Sequence, residues 1–208
     1  MKRLFCLLFF CMACLSAGAQ WKWQNPMDAG FPVVQNQGWP DEIGYKYVRL
    51  PDRAEKEIRH AVCNLSRNSA GLAIHFYSNA PQITVRYKVS GGLNMPHMQS
   101  TGVSGVDLYS IDSDGKWGFC FGNYSFGDTI TYSYRNLGQD SYHNRGFEYR
   151  LYLPLYNTVE WMEIGTPEDS ELTFIPQSPE KPVVLYGTSI AQGACSSRPA
   201  MAWANILQ

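Results

Sequence analysis

Three observations predict a mainly β chain, a jelly-roll-like β-sandwich followed by one strand and one helix of α/β type. About eight or nine short runs with turn residues between them recur from about residue 45 to residue 175, several with alternating apolar side chains. Aromatic residues make up 14% of the chain, with 13 Tyr and 6 Trp, and such side chains suit a β core or, less often, a sugar-binding surface. Near the end the pattern changes once: Val183-Val-Leu-Tyr186 is apolar at every position, as in a strand covered on both faces of a parallel sheet.

The elements follow in order. Residues 1–19 read as a signal peptide. Met1-Lys-Arg is basic, Leu4 to Leu15 is apolar, and Ala17-Gly-Ala19 supplies small residues for cleavage. That apolar run is too short to cross a bilayer. A lipoprotein would use Cys14, but Cys11-Met-Ala-Cys14 lacks the usual Leu three residues before it, so a secreted or periplasmic protein is the expectation. Residues 20–38, with Pro26 and Pro32 and no period, are expected to form an extended lead-in on the surface.

The sandwich is placed at residues 39–176. Tyr45–Leu50 is its first strand candidate, and a short helix or a loop follows around Ala54–Arg59. Leu72, Ile74 and Phe76 share one face of the next run. Ser78-Asn-Ala-Pro81 turns the chain into Ile83, Val85, Tyr87 and Val89, and the two runs read as neighbouring strands. Val106–Ile111, Trp117–Phe121 and Thr129–Arg135 continue the series, Gly138–Gly146 is a polar loop, and Phe147, Tyr149, Leu151 and Leu153 line one face of a further strand. Val159–Ile164 and Glu171–Ile175 complete it, and Pro176–Pro182 is a linker.

Composition excludes some functions. Loss of residues 1–19 would remove Lys2 and Arg3 and leave acidic side chains in excess, which argues against nucleic acid or an anionic membrane as partner. Cys6, Cys11 and Cys14 would leave with the signal. Cys63, Cys120 and Cys195 have no zinc-site spacing, and free buried or half-buried thiols with at most one disulfide are expected. No metal or cofactor is expected.

After the apolar run, Gly187-Thr-Ser189 turns the chain, and Arg198–Leu207 reads as a helix with Pro199 in its first turn. Strand, tight turn and helix place the Ser189 hydroxyl at the carboxyl edge of a strand, where open α/β sheets keep their sites. Gly187 lets the backbone bend, and small neighbours leave the Ser189 amide free to donate to a developing oxyanion.

Val184-Leu-Tyr-Gly-Thr-Ser-Ile-Ala-Gln-Gly-Ala-Cys-Ser-Ser-Arg-Pro199 resembles the first block of the SGNH (GDSL-type) hydrolases, in the branch with Gly-Thr-Ser for Gly-Asp-Ser. Gly105-Val-Asp-Leu-Tyr109 resembles the Gly-x-Asp-Leu-Tyr signature of a β-rich domain that precedes these enzymes. The resemblance implies that Ser189 is the nucleophile of an esterase and a backbone oxyanion donor, that the fold after the linker is flavodoxin-like, and that carbohydrate acetyl esters are the substrate class. It leaves the substrate-binding residues unassigned. Asp107 is expected to satisfy buried backbone donors while Tyr109 packs; the alternative is that their strand shapes the ester cleft.

SGNH enzymes take their acid and base from an Asp-x-x-His after the serine, and this sequence reaches Gln208 without one. Residues 177–208 are therefore read as the start of an incomplete hydrolase domain, an N-terminal fragment inactive alone. Asp140-Ser-Tyr-His143 fits the pattern literally, but it precedes Ser189 in a polar loop and is set aside as a solvated turn. His60, His75 and His97 have no partner in the pattern. The rival function is a non-catalytic carbohydrate-binding β-sandwich; a third is a structural domain that only steadies the hydrolase.

Overall fold

The structure, a computed structural model, describes residues 20–44, 46–112, 114–137, 145–181 and 183–208. Eleven strands are found among them: β1 (Trp21–Gln24), β2 (Val34–Gln35), β3 (Ala73–Ser78), β4 (Gln82–Val89), β5 (Asp107–Asp112), β6 (Trp117–Cys120), β7 (Gly122–Ser125), β8 (Ile130–Arg135), β9 (Arg145–Tyr152), β10 (Val159–Pro167) and β11 (Leu172–Phe174). Five short α-helical segments accompany them, the last two after β11: α1 (Pro40–Ile43), α2 (His60–Ser66), α3 (Ser100–Val103), α4 (Ser189–Gln192) and α5 (Trp203–Ile206).

The strands form two antiparallel sheets, as the alternation requires. One has the order β1-β10-β4-β8-β7; the other has β11-β3-β9-β5-β6, with β2 also paired to β3. The core lies between them. Ile74, Phe76, Leu108, Tyr149 and Leu151 meet Ile83, Val85, Tyr87, Ile130, Met162 and Ile164, all of them buried. Each such side chain contributes roughly 1.5–3 kcal/mol through removal from water. Inside the core the Tyr87 hydroxyl donates to the Ser104 carbonyl at 2.7 Å.

The mainly β fold is as the pattern predicts; several details differ. β3 and β4 are not neighbours but lie in different sheets, because the turn at Ser78–Pro81 carries the chain across the core. There the Ser78 hydroxyl accepts from the Ala80 amide and donates to the Glu171 carbonyl, which ties the crossing to β11. Residues 20–38 are not a surface lead-in. β1 pairs with β10 from Trp21 to Gln24, β2 pairs with β3, and Val33 and Val34 are buried. Lys46–Leu50 forms no strand; Tyr47 and Val48 are buried, and the Gln37 amide donates to the Lys46 and Val48 carbonyls. Tyr149, Leu151 and Leu153 are buried on one face as expected, whereas the Phe147 side chain lies outside the described residues. The expected signal segment, 1–19, also lies outside them.

The largest departure follows the linker. Residues 183–186 are neither paired nor buried: Val183 is 88% and Tyr186 92% exposed. A strand apolar on both faces forms only with a sheet on its edges and cover on its faces, and the described residues supply neither. The expected single helix over 198–207 is also broken. A 3-10 turn, Pro199–Met201, ends at Ala202, whose backbone is extended, and α5 starts afresh. The Asn205 amide reaches back to the Pro199 carbonyl at 2.8 Å and holds the two turns together.

Candidate functional site

Ser189 opens α4, one turn that starts from extended Thr188 and closes at Gly193 in the left-handed conformation. The turn is fastened from beneath. The Ser189 carbonyl accepts from the Ala194 amide at 2.9 Å and from the Tyr156 hydroxyl at 3.0 Å. Gln192 is buried below it, and its amide donates to the Leu155 carbonyl at 3.0 Å. Arg49 donates to the Gln192 side-chain oxygen at 3.3 Å and to the carbonyls of Leu65 and Asn68. The Trp203 indole donates to the Ile190 carbonyl at 3.1 Å. Arg49, Leu155 and Tyr156 all belong to the sandwich side of the chain, so that side sets the height and angle of the serine turn.

The hydroxyl and amide of Ser189 itself are left free among the described residues. Ser189 is exposed, and neither its hydroxyl nor its amide has a hydrogen-bond partner among the described residues. Gly187 allows the close return before the serine, because a Cβ there would come within 2.7 Å of the Ala191 side chain. The arrangement presents a hydroxyl and a backbone donor side by side on a fixed turn.

A second fastening joins the two sequence motifs. Asp107, in β5, is buried, and one of its oxygens accepts from the Ala200 amide at 2.9 Å and from Arg198 at 3.0 Å. The same Arg198 nitrogen donates to the Tyr109 hydroxyl at 2.9 Å, and the guanidinium lies 4.0 Å from the Phe119 ring centre. Burial pushes the Asp107 carboxyl above the ordinary carboxylate range, and the Ala200 amide and the Arg198 charge pull it part of the way back. Ala200 itself packs with Ala73 and Tyr152 against Tyr109 on the outer face of that sheet. Thr101 and Gln99 donate to the Ser197 carbonyl at 2.7 and 3.1 Å. Approach is so close at α3 that a Cβ on Gly102 would lie 2.2 Å from the Ser196 carbonyl oxygen.

The expectation that Asp107 satisfies buried backbone donors therefore holds for one amide, but that amide comes from the segment after the linker. Tyr109 packs and also accepts a hydrogen bond. Arg49, Gln192 and Arg198 were not singled out from the sequence. Arg198 and Gln192 stand inside the Gly-Thr-Ser block, where a charged or amide side chain among small residues was a usable signal; Arg49 offered none.

Other expected residues stay apart. His60, His75 and His97 make no ion pair with a carboxylate among the described residues. Asp140 and His143 lie outside the described residues. Cys63 and Cys120 are buried and in no disulfide, whereas Cys195, likewise in no disulfide, is exposed, in place of the buried or half-buried thiol expected. Among the described residues no group of three His, Cys, Asp or Glu side chains could hold a metal ion. No helix among them is long and apolar enough to cross a membrane.

Comparison with known families adds a sequence-wide match. Residues 21–172 match the GxDLY family, the N-terminus of SGNH hydrolase-type esterases. The chain belongs to this family. Residues 180–208 match the GDSL-like lipase/acylhydrolase family, so the serine turn and the GxDLY strand that grips Arg198 fall in two consecutive family blocks. Among solved structures, the chain is similar to a candidate GDSL-like lipase from Bacteroides ovatus ATCC 8483, with 28% identity and a TM-score of 0.72 over 90% of this chain and 53% of that one. The chain thus spans about half the length of that relative. A salicylyl-acyltransferase, SsfX3, from a tetracycline biosynthetic pathway is similar at 13% identity and a TM-score of 0.40, over 80% of this chain and 41% of that one. Comparison with curated proteins finds no match.

Proposed function

We propose that this GxDLY chain is the front of an exported serine esterase that removes small acyl groups, acetyl above all, from carbohydrates. The observation that carries the reading is the free hydroxyl and free amide of Ser189 on a turn fastened to the sandwich. In this reaction the Ser189 oxygen attacks the ester carbonyl carbon as its proton passes to a base. The Ser189 amide donates to the oxyanion, and the tetrahedral adduct collapses with loss of the sugar hydroxyl, which takes up that proton. Water then attacks the acyl-serine and releases the acid, and the serine recovers its proton.

The base is a histidine held by an aspartate, which the family resemblance puts beyond Gln208; residues 1–208 alone then turn over no ester. Residues 177–208 open the hydrolase domain, and the uncovered run Val183–Tyr186 has the apolar character of a strand suited to a sheet in that domain. The basic start and short apolar run of residues 1–19 support export.

Two measurements test the reading. The purified chain is assayed with p-nitrophenyl acetate; Ser189-dependent turnover contradicts the proposed inactivity. The coding sequence past Gln208 is read for an in-frame Asp-x-x-His. In the protein so extended, Ser189→Ala is expected to abolish acetate release from acetylated xylo-oligosaccharides, and retained activity contradicts the nucleophile assignment.

A further inference from the structure

A cleft of about 280 Å³ lies along the seam where the segment after the linker meets the GxDLY strand. Its lining includes the aromatic side chains of Phe121 and Tyr124, the Phe119 ring with Arg198 stacked over it, and Thr101 and Ser197. Phe121 is 77% and Tyr124 54% exposed, although apolar rings on a β-sandwich normally face its core. Tyr124 is held in place by the Phe126 and Tyr132 rings, with centres 5.6 and 5.2 Å away. Arg198 uses one terminal nitrogen for both Asp107 and Tyr109. Its other guanidinium nitrogens have no hydrogen-bond partner among the described residues, and its side chain is 26% exposed.

We infer that this cleft binds a neutral sugar ring, the alcohol half of the ester. Exposed aromatic faces receive the C–H face of a pyranose, and a rim of hydroxyl and guanidinium groups meets its hydroxyls. Asp107 cancels the charge of Arg198 at 3.0 Å, so the cleft holds no surplus positive charge to draw in a carboxylate. A polyol fits that balance better than an acidic sugar. The cleft is also built by both motifs at once, since Arg198 and Ser197 come from the serine block and Phe119 and Asp107 from the sandwich. A sugar held here is bound on the same seam that fastens the serine turn.

This inference rests on the esterase reading for its link to catalysis, but sugar binding is measurable without any chemistry. The intact chain is titrated calorimetrically with xylohexaose, cellohexaose and mannohexaose, with trigalacturonate as the acidic comparator. At least one neutral oligosaccharide is expected to bind saturably and trigalacturonate is not. Phe121→Ala and Tyr124→Ala, at exposed positions whose folding circular dichroism verifies, are each expected to weaken binding about tenfold, which is about 1.4 kcal/mol. Tyr77→Ala, on an exposed ring of β3, and Ser189→Ala leave it unchanged. Absence of binding by all three neutral sugars at millimolar concentration overturns the assignment, as does binding that survives both cleft variants or trigalacturonate binding equally well. Because this binding is read on a chain expected to turn over no ester, and hydrolysis is read with Ser189→Ala in the extended protein, failure here and failure of the esterase reading give different results.

Discussion

The sandwich and the segment after the linker handle apolar surface in opposite ways. In the sandwich, Ile74, Phe76, Val85 and Leu151 are wholly buried between two sheets. In residues 183–208, Val183, Val184 and Tyr186 stand in the open, and the segment is held by polar fastenings from Tyr156, Leu155, Arg49 and Asp107 together with the small buried side chains of Ala200 and Ala202. The difference shows that large-scale hydrophobic burial makes the first region, whereas hydrogen bonds and two small apolar contacts place the second. Stability and the placement of Ser189 are thus separable properties.

The comparison can be broken most sharply in the core. Leu151→Ala is expected to lower global stability by about 3–4 kcal/mol in urea unfolding, through lost burial and the cavity left behind. A loss below about 1 kcal/mol would mean the sandwich is looser than its burial implies.

Acid strikes the same region. Burial first, and the nearby Arg150 charge second, hold His75 down at about 4. The unfolded chain takes up this proton near pH 6.5 and the folded one does not until about pH 4. The contribution is therefore full above pH 6.5 and falls as pH drops toward 4, by about 3 kcal/mol in all. His75→Gln is expected to flatten that part of the stability-against-pH curve; an unchanged slope would place its origin elsewhere.

Smaller effects are expected across the seam. Tyr156→Phe removes one hydrogen bond to the Ser189 carbonyl and should cost about 1 kcal/mol of local protection at α4, read by amide hydrogen exchange, while core strands keep theirs. In the open run, Val184→Ala should change global stability by less than about 0.5 kcal/mol, since the side chain is already 81% exposed. A larger loss would show that the run is covered after all.

The same contrast explains what could be read in the sequence. β3, β4 and β9 declare themselves because each buries one face, and burial forces alternation at Ile74, Phe76, Ile83, Val85, Tyr149 and Leu151. β1 and β2 do not: Trp21-Lys-Trp-Gln24 is too short to show a period, and β10 dictates its register. Val183–Tyr186 misleads because an apolar run records what a segment can bury, not whether a neighbour is present to bury it. The helix expected over 198–207 breaks because its fastenings, Ala200 to Asp107 and Asn205 to Pro199, require a turn that a continuous helix cannot make. The turn at Ser189 was legible from Gly-Thr-Ser, whereas its supports were not, since Arg49 lies 143 residues from Gln192.

The most direct test of the seam is amide hydrogen exchange on the intact chain and on Asp107→Ala. The variant removes the acceptor of both Arg198 and the Ala200 amide. The account predicts that residues 198–206 lose protection by about 2 kcal/mol, while β3 and β9 exchange as before. Unchanged protection at 198–206 would contradict it, because the GxDLY aspartate would then not be what holds the serine block to the sandwich.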